Sequence, residues 1–296
     1  MDIFKKRLPF INTLLKGVGQ IMLQENALTG LFFLVGIFYD LKVMGIAAIL
    51  AVLTGTLTAR VFRFDTEEIG KGLDAFSAAL VGVALTYYFQ PVFVVWLAII
   101  VGSVAATLIQ HWFIVRKIPV FTLPFVLVTW VIIYLFYRVY PVEPSSISTG
   151  IIVHTQYYFT AAIRGFGEVI FQGTAFAGII VFLGVFINSP ISALYGLAGS
   201  IMGAALSANF SAPPEVIGLG LFSYNAVLCA IVFAGDRPKD GVWALIAVTL
   251  SVFINVAMTR YNIVVLTFPF VAATCITLTI KKYSSPYLEK IFTKIS

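Results

Sequence analysis

The sequence predicts an all-α polytopic membrane protein with ten transmembrane helices, arranged as two inverted five-helix repeats. Two observations support this prediction. The first is composition: 60% of the 296 residues are hydrophobic and 11% are charged, whereas a soluble domain has about 25% charged residues. The second is a set of motifs that occurs twice, in the same order, about half a chain apart. Such duplication is typical of membrane folds built from inverted repeats.

The clearest duplicated motif combines a basic residue, two glycines, a polar acceptor and a final glutamine. It occupies residues 16–24 (Lys-Gly-Val-Gly-Gln-Ile-Met-Leu-Gln) and again residues 164–172 (Arg-Gly-Phe-Gly-Glu-Val-Ile-Phe-Gln). The polar acceptor is Gln20 in the first copy and Glu168 in the second, 148 residues further along the chain.

Two more motif pairs have nearly the same spacing, which indicates that the chain is a duplicated unit. One pair repeats after 148 residues and the other after 145: Gly-Leu-x-x-aromatic-x-Ala-x-Leu at 72–80 and 220–228, and Thr-x-Pro-Phe at 122–125 and 267–270. We therefore divide the chain into a first repeat, residues 1–147, and a second repeat, residues 148–296.

Apolar stretches predict five membrane spans in each half. They cover about 27–39, 43–62, 72–90, 92–115 and 118–139 in the first half, and 174–188, 190–208, 216–234, 242–259 and 262–280 in the second. The first stretch of each half is short and is expected to join the preceding glycine motif in one broken or tilted, re-entrant element. A polar, proline-rich connector at 140–155 separates the halves. Because five is an odd number, the second half must enter the membrane in the opposite orientation.

The distribution of positive charge gives the orientation. With a cytoplasmic N-terminus, fifteen Lys and Arg residues fall on the cytoplasmic side and four, Lys42, Arg138, Arg164 and Arg260, on the other. This asymmetry follows the positive-inside rule. We expect a multi-pass protein of the cell membrane (plasma or inner), embedded in the lipid bilayer, with both termini cytoplasmic. The net charge of +6 is explained by these loops, so no nucleic acid partner is expected.

The repeated positions supply hydrogen-bond acceptors. Gln20 and Glu168 carry side-chain oxygens beside paired glycines, and Thr122 and Thr267 carry hydroxyls two residues before a proline. A proline leaves a carbonyl of the preceding turn without its helical donor, so we expect these sites to display acceptors along a path.

Aromatic and leucine side chains at helical spacing predict the walls of a central pore. Phe76 and Leu80, and likewise Tyr224 and Leu228, are four residues apart and share a helix face. Two such faces meeting at the axis between the repeats would form a flat apolar slot. A slot with acceptor-rich edges suits a planar neutral molecule with several N–H donors, because removing water from an ion costs far more.

The sequence indicates no enzyme, no cofactor and no metal site. Cys229 and Cys275 lie in apolar runs without a disulfide or metal-ligand pattern. A phosphate-binding loop of the G-x-x-x-x-G-K-[ST] type is absent, which excludes ATP-driven transport by this chain.

Three ionisable residues near the spans have more than one interpretation. Glu168 is interpreted as a pathway residue, with a salt bridge to Arg164 as the alternative, because a carboxylate inside a membrane is costly. Asp74 is interpreted as a helix-start residue with Lys71 as its partner. His111 is interpreted as an interface residue rather than a ligand.

The ordered motifs resemble the urea transporter family. The resemblance rests on Gly17-x-Gly19-Gln20, Gly165-x-Gly167-Glu168-Val169-x-Phe171, Gly220-Leu221-x-x-Tyr224-Asn225-x-x-Leu228 and the two Thr-x-Pro-Phe motifs, and it covers nearly the whole chain. It implies a homotrimer with one continuous pore in each protomer. It also implies passive, channel-like transport of urea or a related small amide through a narrow filter of stacked aromatic rings flanked by oxygens.

The resemblance assigns roles to individual residues. Gln20 and Glu168 would serve the two ends of the filter and Thr122 and Thr267 its constricted middle. The remaining filter residues would form the walls: Phe76, Leu80, Tyr224, Leu228, Phe171, Val169 and Leu23. The chain departs from the family pattern at three positions: Leu23 where Phe is usual, Ser77 in place of Asn, and Tyr224 in place of Phe. These departures leave open other small amides, or water, as substrates.

Two other classes of function remain open at this point. An ion- or proton-coupled secondary transporter would use Asp74 or Glu168 as its proton site, and would accumulate solute against a gradient until an uncoupler is added. A membrane scaffold that transports nothing would show no solute flux.

Overall fold

The computed structural model describes residues 8–119, 121–146, 158–210 and 212–292. Their regular structure is helical, and the one β-interaction recorded there is an isolated bridge between Phe89 and Pro144. The predicted connector 140–155 lies outside the described residues from position 147 onwards.

Fourteen α-helices occur in these ranges, in two sets of seven. The first set is α1 (Pro9–Gly19), α2 (Ala27–Asp40), α3 (Lys42–Val61), α4 (Thr66–Lys71), α5 (Phe76–Tyr88), α6 (Phe93–Val115) and α7 (Leu123–Arg138). The second set is α8 (Tyr158–Glu168), α9 (Ala175–Asn188), α10 (Pro190–Asn209), α11 (Pro214–Gly218), α12 (Tyr224–Val232), α13 (Pro238–Arg260) and α14 (Phe268–Phe292). A 3₁₀ helix, Gln20–Met22, continues α1.

Corresponding helices of the two sets have matching lengths. Helices α2 and α9 each have 14 residues, α3 and α10 each have 20, and α6 and α13 each have 23. The members of each pair begin 148, 148 and 145 residues apart, the same offsets that separate the sequence motifs.

Left-handed backbone conformations also occur in pairs at these offsets. The paired positions with positive φ are Leu23 and Phe171, Gly72 and Gly220, Lys117 and Asn262, and Phe121 and Leu266. The left-handed region costs a residue with a side chain roughly 1–2 kcal/mol. Six of these eight residues are not glycine, so tertiary structure must impose the conformation at these turns.

Four helices of the described residues are long and apolar enough to cross a membrane: α3, α6, α10 and α13. Helix α1 with its 3₁₀ turn, followed by α2, passes the same test as a pair bent by 75°. This bent pair agrees with the predicted broken element at the start of the first half. Helices α5, α7 and α9 are apolar but shorter, so helix length alone does not establish ten spans.

Large apolar side chains cover much of the helix exterior. Val61 on α3, Phe93 on α6 and Val131 on α7 are among the exposed ones. Such a surface would be unfavourable in water but matches the hydrocarbon of a bilayer, in which helices satisfy their own backbone groups.

The two helix sets pack against each other through α2 and α9. The Thr29 hydroxyl donates to the Gly184 carbonyl at 2.7 Å. Asn26 Nδ2 donates to Asn188 Oδ1 at 3.0 Å, and Asn188 Nδ2 donates to Gln24 Oε1 at 2.8 Å. Because little hydrophobic force joins helices inside lipid, close packing and such hydrogen bonds hold them together.

The duplicated glycine motif forms the same tight backbone turn at the ends of α1 and α8. The Gln24 N–H donates to the Gly19 carbonyl at 3.1 Å, and the Gln172 N–H donates to the Gly167 carbonyl at 3.0 Å. A Cβ at position 19 would lie 2.5 Å from the Gln24 carbonyl oxygen, and one at position 167 would lie 2.3 Å from that of Gln172. The close backbone approach therefore requires glycine at both positions.

The two prolines of the Thr-x-Pro-Phe motifs start helices. Pro124 and Pro269 are the second residues of α7 and α14, where backbone N–H groups have no partner within the helix in any case. The expectation that these prolines free a carbonyl in a preceding helical turn is therefore wrong.

Candidate functional site

Two cavities lie next to the duplicated motifs. The Gln20 cavity has a volume of about 190 Å³ and is lined by Gln20, Ile21, Leu23, Leu73, Phe76, Gln110, Ile114, Ile118, Pro119, Phe121, Thr122 and Phe270. The Glu168 cavity has a volume of about 270 Å³ and is lined by Tyr87, Tyr88, Glu168, Val169, Phe171, Val216, Leu221, Phe222, Tyr224, Asn255, Thr259, Val265, Leu266 and Thr267.

A pair of threonine hydroxyls lies between the two cavities. Thr122 lines the Gln20 cavity and Thr267 lines the Glu168 cavity, and their Oγ1 atoms are 2.6 Å apart. Thr122 occupies the N-cap position of α7, but its side chain makes no capping bond. Its hydroxyl therefore pairs with Thr267 rather than with its own helix.

The structure brings most of the predicted site residues to these cavities. Four line the Gln20 cavity, namely Gln20, Leu23, Phe76 and Thr122. Five line the Glu168 cavity, namely Glu168, Val169, Phe171, Tyr224 and Thr267. The remaining two, Leu80 and Leu228, have 0% exposure and line neither cavity. Phe76 and Tyr224 line different cavities, so a single slot walled by both remains a prediction.

Gln20 is held by a hydrogen bond to the backbone of the last residue of α4. Its Nε2 donates to the Lys71 carbonyl at 3.0 Å. The remaining polar atom of this amide, Oε1, is an acceptor. Gln20 therefore provides the Gln20 cavity with an oriented side chain that suits an N–H donor.

Glu168 ends α8 and is buried at the Glu168 cavity. The alternative salt bridge with Arg164 is not among the ion pairs of the described residues. Arg164 Nη1 instead donates to the Gly218 carbonyl at 3.0 Å. The carboxylate is therefore positioned as a strong acceptor in the cavity wall.

Tyr224 and Asn225 hold the turn that carries Thr267. The Tyr224 hydroxyl donates to the Leu266 carbonyl at 2.5 Å, and Asn225 Nδ2 donates to the same oxygen at 3.2 Å. Asn225 Oδ1 accepts the Phe270 N–H at 3.1 Å. Three hydrogen bonds thus fix the backbone on both sides of the central threonine.

The first half lacks the corresponding asparagine. Ser77 stands 148 residues before Asn225, and its hydroxyl donates to Gln110 Oε1 at 3.0 Å. Gln110 lines the Gln20 cavity. The departure at Ser77 therefore replaces a clamp on the threonine turn by a bond to a cavity-lining amide.

Several lining residues were missed by sequence reasoning. Phe121 and Phe270 face each other in the Gln20 cavity, with ring centroids 5.2 Å apart, and Tyr87 lies 5.2 Å from Phe171 in the Glu168 cavity. The sequence contains 27 Phe and 13 Tyr residues, so aromatic identity alone could not select these. Gln110 could have been selected from the sequence, because a single amide side chain inside an apolar helix needs a hydrogen-bond partner.

Four helices begin at the cavities. Helix α5 begins at Phe76 and α12 at Tyr224, while α7 and α14 begin directly after Thr122 and Thr267. A helix N-terminus carries roughly half a positive charge. Together these ends disfavour cations and favour the oxygen of a neutral solute at the threonine pair.

The turn between α4 and α5 differs from the prediction for Asp74. Lys71 Nζ lies 2.5 Å from Glu67 Oε1, and this hydrogen bond raises the pKa of Lys71 above its ordinary value. The N-cap of α4 is Asp65. Asp74 is buried, and its Oδ1 lies 3.8 Å from His111 Nδ1. The predicted pairing of Asp74 with Lys71 is therefore wrong.

Comparison with known proteins identifies related sequences. The sequence matches the family model described as "Urea transporter" over residues 11–282. It is 24% identical over 295 residues to "Urea transporter 1" of Ovis aries and equally to that of Capra hircus, covering 90% of this chain and 76% of each relative. It is 23% identical over 248 residues to "Urea transporter 1" of Mus musculus, covering 77% of this chain and 64% of the relative.

Proposed function

The chain belongs to the urea transporter family, and from this premise we propose that it conducts urea, or a closely related small neutral amide, passively through a channel-like path. Members of this family are transporters and not enzymes. The names of the relatives support urea as the solute.

The observation that carries the proposal is the 2.6 Å contact between Thr122 and Thr267, which separates two cavities of similar size. A hydroxyl both donates and accepts hydrogen bonds, so the pair can exchange its mutual bond for bonds to a carbonyl and an amino group. The net worth of one such bond is about 0.5–1.5 kcal/mol. A solute that replaces the bond as it passes therefore meets a low barrier.

The cavity walls fit a flat, uncharged solute with several N–H groups. Gln20 and Glu168 supply acceptors on either side of the threonine pair, and Phe76, Phe121 and Phe171 supply apolar ring surface. Apolar walls remove water, which costs an amide much less than an ion. This combination is the proposed narrow filter, with aromatic walls and oxygen-lined edges.

The lining also supports passive transport rather than ion coupling. Among the described residues that line the two cavities, Glu168 is the one carboxylic acid, and Lys, Arg and His do not occur. Proton-coupled pathways in membranes use chains of ionisable groups. One buried acid suits substrate recognition better than a relay.

We further propose that residues 1–147 and 148–296 are two inverted five-span repeats that together form one transmembrane channel domain. The matched helix lengths and the paired left-handed turns support this proposal. The odd number of spans in each repeat inverts the second repeat, and the even total of ten places both termini on one side, which the positive-inside rule makes the cytoplasm. Reporter tags at the two ends should label the same face, and labelling of opposite faces contradicts the topology.

The proposed assembly is a homotrimer in the plasma or inner membrane, with one pore in each protomer. The trimer rests on family membership, and the exposed apolar side chains support contact with lipid or with neighbouring protomers. Native mass spectrometry from detergent should give the mass of three chains. A single chain at all lipid and detergent conditions contradicts this assembly.

Flux assays in proteoliposomes test the proposed substrate. Stopped-flow light scattering with urea, formamide, acetamide, ammonia and water as separate solutes should show the largest increase over protein-free vesicles for urea. Urea permeability equal to that of protein-free vesicles, with another solute passing, contradicts urea as the substrate.

A further inference from the structure

Three side chains from separate parts of the first half meet outside the two cavities. Glu68 belongs to α4, Asp74 to the turn before α5, and His111 to the last part of α6. One potential ligand atom from each lies within 4.8 Å of the others. His111 Nδ1 is 3.8 Å from Asp74 Oδ1 and 3.9 Å from Glu68 Oε2.

The polar atoms of this cluster are buried without hydrogen-bond partners. Glu68 Oε2, both carboxylate oxygens of Asp74 and His111 Nδ1 have none in the part of the chain that the structure describes. Asp74 is 1% exposed. An unpaired carboxylate at that depth is strongly unfavourable, whereas a bound cation would offset its charge and take one ligand atom from each of the three residues.

Neighbouring basic side chains do not fill this role. The nearest lysine along the chain, Lys71, is paired with Glu67. Within the described ranges, Lys and Arg make no ion pair with Glu68 or Asp74. Within the described ranges the cluster therefore has no Lys or Arg partner that offsets its two carboxylates.

The ligand atoms are held in place from both sides. The His111 ring stacks on Phe64, with centroids 3.4 Å apart and planes inclined by 6°. The Thr107 hydroxyl donates to the Asp74 carbonyl at 3.0 Å, which ties the turn to α6. A site whose ligands are oriented by packing and hydrogen bonds needs little rearrangement to bind.

The donor set indicates which ion fits. Metal bonds of about 2.0–2.2 Å place neighbouring ligand atoms roughly 3–4 Å apart, close to the two distances observed here. Two carboxylates and one imidazole favour Zn²⁺ and similar transition metals over Ca²⁺ and Mg²⁺, which prefer oxygen alone. The side chains of Glu68 and His111 are 28% and 24% exposed, which gives an ion an entry path.

We propose that Glu68, Asp74 and His111 bind one divalent transition-metal ion of the Zn²⁺ type, with water completing its coordination. The site does not depend on the proposed transport function, since it shares no lining residue with either cavity. It would join α4, the α4–α5 turn and α6. Lys71, whose carbonyl holds Gln20, lies between Glu68 and Asp74 along the chain.

Metal titration of the purified full-length protein, carrying no histidine tag, tests the proposal. Isothermal titration with ZnCl₂ should show one saturable site per chain that excess Mg²⁺ does not displace. His111→Asn and Asp74→Asn should each weaken Zn²⁺ binding by more than tenfold, since loss of even an indirect partner of a metal ligand costs about 10–100-fold in affinity. His154→Asn, which changes the other histidine of the chain, is the matched control and should bind as the wild type does.

Glu68→Gln provides a second probe, because Glu68 is partly exposed and the change preserves its shape. It should also weaken Zn²⁺ binding by more than tenfold, even if Asp74→Asn does not yield folded protein. Absence of saturable Zn²⁺ binding to the wild type overturns the proposal. Zn²⁺ binding unchanged by His111→Asn and Glu68→Gln overturns it as well, as does full displacement of Zn²⁺ by Mg²⁺.

Discussion

The Gln20 cavity and the Glu168 cavity are bounded by the same backbone motif but differ in chemistry. Leu23 and Phe171 occupy equivalent left-handed positions, with φ of 60° each. The Glu168 cavity is lined by one carboxyl side chain and three tyrosines. The described residues that line the Gln20 cavity include no ionisable side chain. The shared motif therefore determines the position of the lining side chains, whereas the polarity of these side chains differs between the two halves. We infer that a solute is recognised more strongly on the Glu168 side.

The largest expected effect concerns the shared backbone. Gly19→Ala and Gly167→Ala should both abolish recovery of folded protein, because each new Cβ would lie within 2.5 Å of a backbone carbonyl oxygen and backbone cannot yield as a side chain does. Size-exclusion chromatography of the solubilised protein measures the outcome.

Matched glycine controls sharpen this first prediction. A Cβ at Gly70 or Gly218 would meet nothing within 4 Å, so Gly70→Ala and Gly218→Ala should elute as the wild type does. If Gly19→Ala is tolerated and Gly167→Ala is not, the backbone turns next to the two cavities are not equivalent.

The next largest effect concerns the two acceptors. Glu168→Ala should reduce urea flux by about tenfold or more, because hydrogen bonds to charged groups contribute about 1.5–3 kcal/mol. Gln20→Ala should reduce it by only about threefold, as expected for a neutral acceptor. Proteoliposome flux per assembled protein measures both.

The exposed acid Glu215, at the start of α11 and outside both cavity linings, is the control for this pair. Glu215→Ala should leave flux unchanged. Equal losses for Glu168→Ala and Gln20→Ala contradict the inferred difference between the cavities, and normal flux of Glu168→Ala removes Glu168 from the path.

The threonine pair is the point at which the two halves should behave alike. Thr122→Val and Thr267→Val each remove one hydroxyl at nearly constant shape and should each reduce urea flux by roughly threefold to tenfold, the equivalent of about one hydrogen bond. The double variant should lose less than the product of the two, because both changes break one shared bond. Strictly multiplicative losses argue against a shared step at this pair.

The last expected effect is on stability rather than flux, and it concerns the supports of the threonine turns. Asn225→Ala removes two hydrogen bonds to the Leu266–Phe270 turn and should destabilise the protein by about 2 kcal/mol. Ser77→Ala removes one bond, to Gln110, and should cost about 1 kcal/mol. Unfolding in detergent measures both, and a larger loss for Ser77→Ala contradicts the assignment of Asn225 as the clamp.

The sequence predicted the positions that recur in both halves. Gln20, Glu168, Thr122 and Thr267 were identified because duplication marks them, and all four line a cavity. Leu80 was expected to share a wall with Phe76, but α5 is buried on every side from Phe76 to Thr86. Helical periodicity cannot select one face of such a helix.

Contacts between distant segments were not predictable in this way. Phe121 and Phe270 meet only after folding, and neither carries a signal beyond its aromatic ring. Asp74 and His111 are 37 residues apart in the sequence, without a metal-ligand spacing to connect them. The prediction that Pro124 and Pro269 free a carbonyl failed because the effect of a proline depends on whether a helix starts or continues at its position.

The most direct test of the account is urea uptake into proteoliposomes under imposed proton and sodium gradients. The account predicts that internal urea rises to the external concentration and stops there, at a rate proportional to the urea gradient and unaffected by a protonophore. Steady accumulation above the external concentration that collapses when the protonophore is added would contradict it.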